Sequence, residues 1–414
     1  MTERARRDGP GRAERARWVC LFAAVACAIA GTSVGCGGGR ARGRGVPPDG
    51  GGVVDTDGGG GTGDDGDVTP GEDSGIPVDI EETIYPGRAN SLELAVDATG
   101  TPHALIDAPD LGGLVHAMRT ESGWTMTPLE SGSGSGYFAL VASPDGALHA
   151  AYIVDYDLRY ARYADGRWTF ESVDPTSAAV GLALTVGQDS RPRIAYQHQR
   201  FDGGFTADEL HFAERSATGR WTTELVHADR YDIGWMPSIA VDSMGTVAIV
   251  YCEDLCYTQP DMAIKEAGGA WEHFALPEGI GRSETTIVID AMDRVHMAWM
   301  ENGDGTAMYA WLTTEGWATS VIDPSFANVG GRVHILPGAD GSIHAFYAAS
   351  AVRYAALDLA SGVWTIDHLD EIDVEFSSDV RAARDAAGSL HVAYAWRNPD
   401  DTFMGETRYR RYAP

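Results

Sequence analysis

Past residue 45 the chain is short of positive charge. It has 31 Lys and Arg against 60 Asp and Glu; residues 1–45 hold nine of the former and three of the latter, so the remainder carries 22 basic and 57 acidic residues, a balance of −35. A single lysine, Lys265, stands in the whole sequence. Nucleic acid is excluded as a partner, because binding it requires a basic footprint. Such acidity describes a solvated surface and agrees with divalent ions or cationic ligands. Cysteine is scarce too: of five, only Cys252 and Cys256 lie beyond the N-terminal region, and no CxxC pair accompanies them. Apolar residues at three-and-four spacing are missing, which excludes a helical solenoid.

What is present is repetition. Turns written Asp-x-x-Gly or a variant recur at Gly100, Gly146, Ser190, Gly245, Asp293, Gly341 and Gly388, with steps of 46, 44, 55, 48, 48 and 47 residues. Three positions after each anchor a short apolar segment begins: 103–106, 149–152, 193–196, 248–251, 296–299, 344–347 and 391–394, six of them ending in Tyr or Trp. A third alternating run follows, such as Leu158 to Tyr163, then a turn and a Trp opening a fourth: Trp124, Trp168, Trp221, Trp271, Trp317 and Trp364. Four period-two strands per unit, repeated seven times, predict an all-β fold, a seven-bladed β-propeller of four-stranded blades over residues 76–414.

The seventh copy stops at Pro414 after its third strand. An open edge there is a template for aggregation, so the alternating stretch Val78 to Ile84 is expected to supply the missing strand from the other end, with residues 77–85 as the clasp.

The first 36 residues read differently. Six arginines among the first 17 precede an apolar run from Trp18 to Ala30, and small residues lead on to Cys36. A basic start, an apolar middle and a small-residue end predict a secretory signal. The run is shorter than the roughly 20 residues that an uncleaved spanning helix requires. Ser33-Val34-Gly35-Cys36 resembles the box of a bacterial lipoprotein signal, though without Leu at its first place. The resemblance implies cleavage before Cys36 and its lipidation, with Cys27 as a second possible acceptor. It places the protein in a bacterial cell envelope, lipid-anchored, periplasmic or surface-exposed. Residues 37–75 are Gly- and Asp-rich, with too little apolar surface to offset ordering entropy, and are expected to be a disordered tether. Their Asp-x-Asp-Gly steps lack the distal Glu of a calcium loop, so no metal or other cofactor is expected.

In an oxidising compartment a Cys252–Cys256 disulfide is the leading reading, with free thiols and, without a CxxC partner, metal ligation as the alternatives. His103, His149, His296, His344 and His391 open second strands in five units; a repeated residue in a repeated niche points to hydrogen bonding across a turn rather than to a shared ion. The tryptophans are expected to pack blades together. Asp165-Gly166-Arg167-Trp168 and Ser216 to Trp221 resemble shortened forms of the Asp-box of sialidase-type propellers, although none of the six turns has the full box. In that family an arginine cluster, a Tyr–Glu nucleophile and an Asp acid/base act on the substrate; no matching set is found, so the catalytic residues are unknown.

Propellers usually carry function on the loops from second to third strands and between blades. The long loops are expected at 197–209, 252–261, 395–406 and 227–237, and the candidate ligand-binding residues are His198, Arg200, Tyr231, Trp235, Asp254, Tyr257 and Arg397. Aromatics to stack on a sugar ring, with Arg and Asp to bond its hydroxyls, suit a carbohydrate or protein ligand. The leading expectation is therefore a membrane-tethered, monomeric binding module. A glycoside hydrolase or polysaccharide lyase of sialidase-like architecture and an envelope scaffold are the alternatives.

Overall fold

The computed structural model describes residues 78–413 apart from short internal stretches, the longest being 371–379 and 398–404. The expected signal segment with Cys36, the tether 37–75 and residue 77 lie outside the described residues. Within them, seven four-stranded antiparallel sheets contain 28 strands, and the only helix is the 3-10 turn Pro109–Leu111. Six blades run in chain order over 92–128, 134–174, 181–227, 233–275, 286–321 and 330–370, each a simple meander. The first strands of successive blades touch one another all the way round, and blade seven's touches blade one's, so the fold is a closed seven-bladed propeller.

Blade seven takes Val380–Arg384, Leu390–Arg397 and Gly405–Tyr412 from the C-terminal end of the chain. Its outermost strand is Val78–Tyr85, antiparallel to Gly405–Tyr412, with Val78 opposite Tyr412 and Tyr85 opposite Thr407. From that strand Glu82 reaches blade one. Its carboxylate accepts from Arg119 Nη2 at 2.7 Å and Nε at 2.9 Å, and from Trp124 Nε1 at 2.9 Å.

Burial follows from sheets stacked face to face around the ring. A second strand is covered on both faces, so Leu148 to Ile153 are all buried and the sequence runs apolar without alternation. Outer strands such as Arg167–Asp174 stay largely exposed or half-buried. The core consequently sits between blades: Ala298 and Tyr309 of blade five pack in one cluster with Ile335 and Tyr347 of blade six.

The repeated turn has a local cause. In blade one Asp97 Oδ1 accepts from the backbone N–H groups of Thr99 at 2.8 Å and Thr101 at 3.0 Å, while Gly100 sits at φ 83°, where a side chain is disfavoured. Asp242, Asp290 and Asp385 hold their turns in the same way. The repeated histidines tie this turn to the third strand. His296 and His391 meet Asp290 and Asp385 through Nε2, both at 3.2 Å, and Tyr309 and Tyr409 through Nδ1, both at 2.7 Å. His149 and His344 use Ser143 and Ser342 at 2.9 Å, with Tyr160 and Tyr354 on the other side at 2.6 Å. Burial holds these imidazoles below their usual pKa, His149 and His344 down to about 4, so they stay neutral.

The tyrosines in turn receive a tryptophan from the next blade. Trp221 meets Tyr160 edge-on at 5.0 Å, Trp364 meets Tyr309 at 5.3 Å, and Trp124 meets Tyr409 at 5.2 Å. The repeated His, Tyr and Trp thus form one relay from turn to strand to neighbouring blade.

Candidate functional site

On the opposite side of each blade from the His turns, a second motif repeats. In blade two Tyr152, near the end of the second strand, donates to Glu130 Oε2 at 2.6 Å; Glu130 follows blade one's outer strand, six residues after Trp124. Arg159, opposite Tyr152 on the third strand, donates to Glu130 Oε1 at 2.7 Å. Blade six repeats the arrangement with Asp323, Tyr347 and Arg353: both donors reach Asp323 Oδ2, at 3.0 and 2.9 Å. A Tyr–acid–Arg pin of this kind neutralises a carboxylate between blades and is structural. Blade seven keeps the pair Tyr394 and Arg408, whereas blades one and five place Ile106 opposite Val115 and Trp299 opposite Met308.

Blades three and four retain the tyrosine and change its partners. In blade three Tyr196 donates to Asp174 Oδ2 at 2.8 Å, but the residue opposite is His211. His198, two positions further along, stacks on His211 with ring centroids 4.6 Å apart. His198 Nδ1 lies 3.7 Å from Asp174 Oδ2, and Glu209 Oε2 lies 3.0 Å from His211 Nε2. Burial, reinforced by His198, outweighs Glu209 and holds His211 below its ordinary pKa.

In blade four the charges are exchanged. The acid's place, six residues after Trp221, is taken by His227, and the arginine's place opposite Tyr251 by Asp261. His227 Nδ1 is 2.8 Å from the Tyr251 hydroxyl, which also lies 3.3 Å from His273 Nδ1, and Glu253 Oε1 is 3.6 Å from His227 Nδ1. One phenol between two imidazole nitrogens can donate to only one of them, so the other must supply the hydrogen. Burial pushes the Tyr251 hydroxyl well above its usual pKa and keeps it protonated. Burial and then the neighbouring Glu253 carboxylate push Asp261 up to about 7.

The raised pKa of Asp261 has a stability consequence. Because the folded-state pKa of Asp261 is raised from 3.8 to about 7, its contribution is fully present below about 3.8 and is lost as pH rises through about 7. Asp261→Asn, which cannot ionise, is expected to raise the melting temperature most at about pH 8 and to flatten the stability slope between pH 4 and 7. Equal effects at about pH 5 and about pH 8 would contradict the raised pKa of Asp261.

The sequence-derived candidates divide sharply. His198 belongs to the blade-three group. Trp235 is half-buried on blade four's first strand, opposite Cys252 and beside the left-handed Gly234 and Met236. Arg200 and Arg397 are placed as strand residues, with side chains outside the described set, and Tyr231, Asp254, Tyr257 and Cys256 lie outside it altogether. Cys252 is buried at the end of its strand. One expectation is corrected: 197–209 is no long loop. The strands Pro192–Asp202 and Phe205–Arg215 continue pairing from Gln197 opposite Leu210 to Asp202 opposite Phe205, because backbone groups this far from the core are satisfied by extending the ladder. Sequence reasoning missed Asp174, His211, His227, Glu253 and Asp261. For Asp174, His211, His227 and Asp261 the signal was available in the spacing: the sixth residue after each Trp, and the partner of each second-strand aromatic.

No protein-family model matches the chain, and no curated protein sequence matches it. Solved structures do share the fold. An inactive variant of virginiamycin B lyase from Staphylococcus aureus, solved with quinupristin, aligns at 12% identity and a TM-score of 0.53, covering 80% of this chain and 98% of that one. The polysaccharide lyase Uly1 aligns at 8% identity and 0.53, covering 82% and 100%. A leech intramolecular trans-sialidase aligns at 12% and 0.43, covering 84% and 70%. At these identities the likeness is one of architecture: the chain is a seven-bladed β-propeller, similar in fold to the two lyase propellers.

Proposed function

We propose that the protein is an extracytoplasmic binding module, lipid-anchored through Cys36 and held off the membrane by residues 37–75, which takes a carbohydrate or protein ligand over blades three and four. The carrying observation is that the Tyr–acid–Arg pin is rewritten with titratable side chains in these two adjacent blades, where Asp174, His198 and His211 form one cluster and His227, Glu253 and Asp261 another. Imidazole and carboxylate groups that are partly exposed suit the hydroxyls of a sugar, and Trp235 offers a ring to stack on. A Cys252–Cys256 bridge would brace the connection between Glu253 and Asp261.

One observation favours a second reading, a glycoside hydrolase or polysaccharide lyase. Asp261, pushed up to about 7 by burial and then by the neighbouring Glu253 carboxylate, is joined in one cluster by His227, a combination able to give and take protons near neutral pH. Glycan-array binding by the full chain, run with a panel of fluorogenic glycosides and uronate-containing polysaccharides, separates the two. Binding without turnover, weakened at least about tenfold by Trp235→Ala, supports the module; turnover of any substrate overturns it in favour of the enzyme.

A further inference from the structure

We propose that Asp174, His198 and His211 bind one divalent transition-metal ion of the zinc class. The inference is independent of the ligand reading above. One nitrogen of each imidazole and one carboxylate oxygen of Asp174 lie within 4.8 Å of one another, close enough to converge on one ion after small side-chain rotations. Two histidines and a carboxylate are the donor set that zinc and its neighbours favour; calcium and magnesium take all-oxygen sites.

Three features beyond donor type support it. First, the site replaces a cation. In blades two and six the residue opposite the tyrosine is Arg159 or Arg353, a permanent positive charge against the inter-blade carboxylate. In blade three the same register position is His211, a side chain with no permanent charge. A metal ion would restore to Asp174 the positive charge that the arginine brings elsewhere in the ring. Second, the donors are already oriented. Tyr196 donates to Asp174 and Glu209 faces His211 Nε2; outer hydrogen bonds of this kind fix a ligand's rotamer and the tautomer of an imidazole. Third, His198 Nδ1 is a buried nitrogen with no hydrogen-bond partner among the described residues, so a lone pair or an N–H is left unsatisfied there unless something binds it.

The test is metal binding by the full chain stripped with chelator and titrated with Co2+, read by its visible absorption and by elemental analysis after gel filtration. One equivalent is expected, displaced by Zn2+ and not by excess Ca2+ or Mg2+. His211→Arg should weaken Co2+ binding by more than about 100-fold, and Glu209→Gln by about 10- to 100-fold. The arginine variant recreates the pin of blades two and six, so it should keep its melting temperature; should it fail to fold, His198→Gln takes its place. Absence of Co2+ and Zn2+ binding by the folded wild-type chain overturns the proposal. So does an equivalent that survives His211→Arg and disappears in His227→Gln, since it would sit in blade four. Repeating the glycan array with the stripped protein separates this result from the ligand reading.

Discussion

A chain beginning after Tyr85 is expected to aggregate, whereas one beginning at residue 76 behaves as the full-length protein does. The shorter chain lacks the strand that covers Gly405–Tyr412, leaving a row of unpaired backbone groups in register for another molecule. It also loses Ile84 and Tyr85, both nearly fully buried, at about 1.5–3 kcal/mol each. The three hydrogen bonds that bring Arg119 and Trp124 of blade one to Glu82 go as well. Together these losses approach the whole net stability of a typical domain, about 5–15 kcal/mol. Size-exclusion profiles and urea midpoints of the two truncations decide the matter: coincident profiles and midpoints would show that blade seven does not depend on its N-terminal strand.

The second large effect concerns blade six. Arg353→Met should destabilise the protein by about 3–5 kcal/mol, because it strands the Asp323 carboxylate in the interior. The Asp323 side chain is 0% exposed and that of Arg353 5% exposed, so water cannot take over the lost interaction. The equivalent Arg159→Met in blade two should cost about 1 kcal/mol or less, since Arg159 and Glu130 keep 23% and 24% of their side-chain surfaces in solvent. The double variant Arg353→Met/Asp323→Asn should recover most of the loss. Urea denaturation of the four proteins measures the difference, and equal costs in the two blades would show that burial does not set the strength of the pin.

The sequence displays the propeller so clearly because its regularity is local. Each strand is covered or exposed by the same neighbours in every blade, so apolar second strands and largely exposed outer strands recur at about 48 residues. The turn histidines were legible for the same reason: His296 and Asp290, His391 and Asp385 are six residues apart. The candidate site is different in kind. Asp174 comes from the end of one blade, His198 and His211 from two strands of the next, and their meeting depends on the register Tyr196 opposite His211 and on the extended hairpin beyond it. Looking for irregular loops found His198 and Trp235 but passed over Asp261 and His211, which stand at regular positions and differ only in identity. In a repeat protein the informative residue is the one that breaks a rule at a fixed place.

The pairing of Val78–Tyr85 with Gly405–Tyr412 also sets the order of assembly. Thr83 and Glu406 meet across 323 residues of chain, whereas most strand partners within the other blades are separated by one short turn. Loop-closure entropy makes such a contact late and slow. Blades one to six can therefore form as the chain emerges, while the first strand waits unpaired until the last residues arrive. The rate-limiting step in folding is then expected to be ring closure, and the half-finished ring is the species most in need of protection from its own kind.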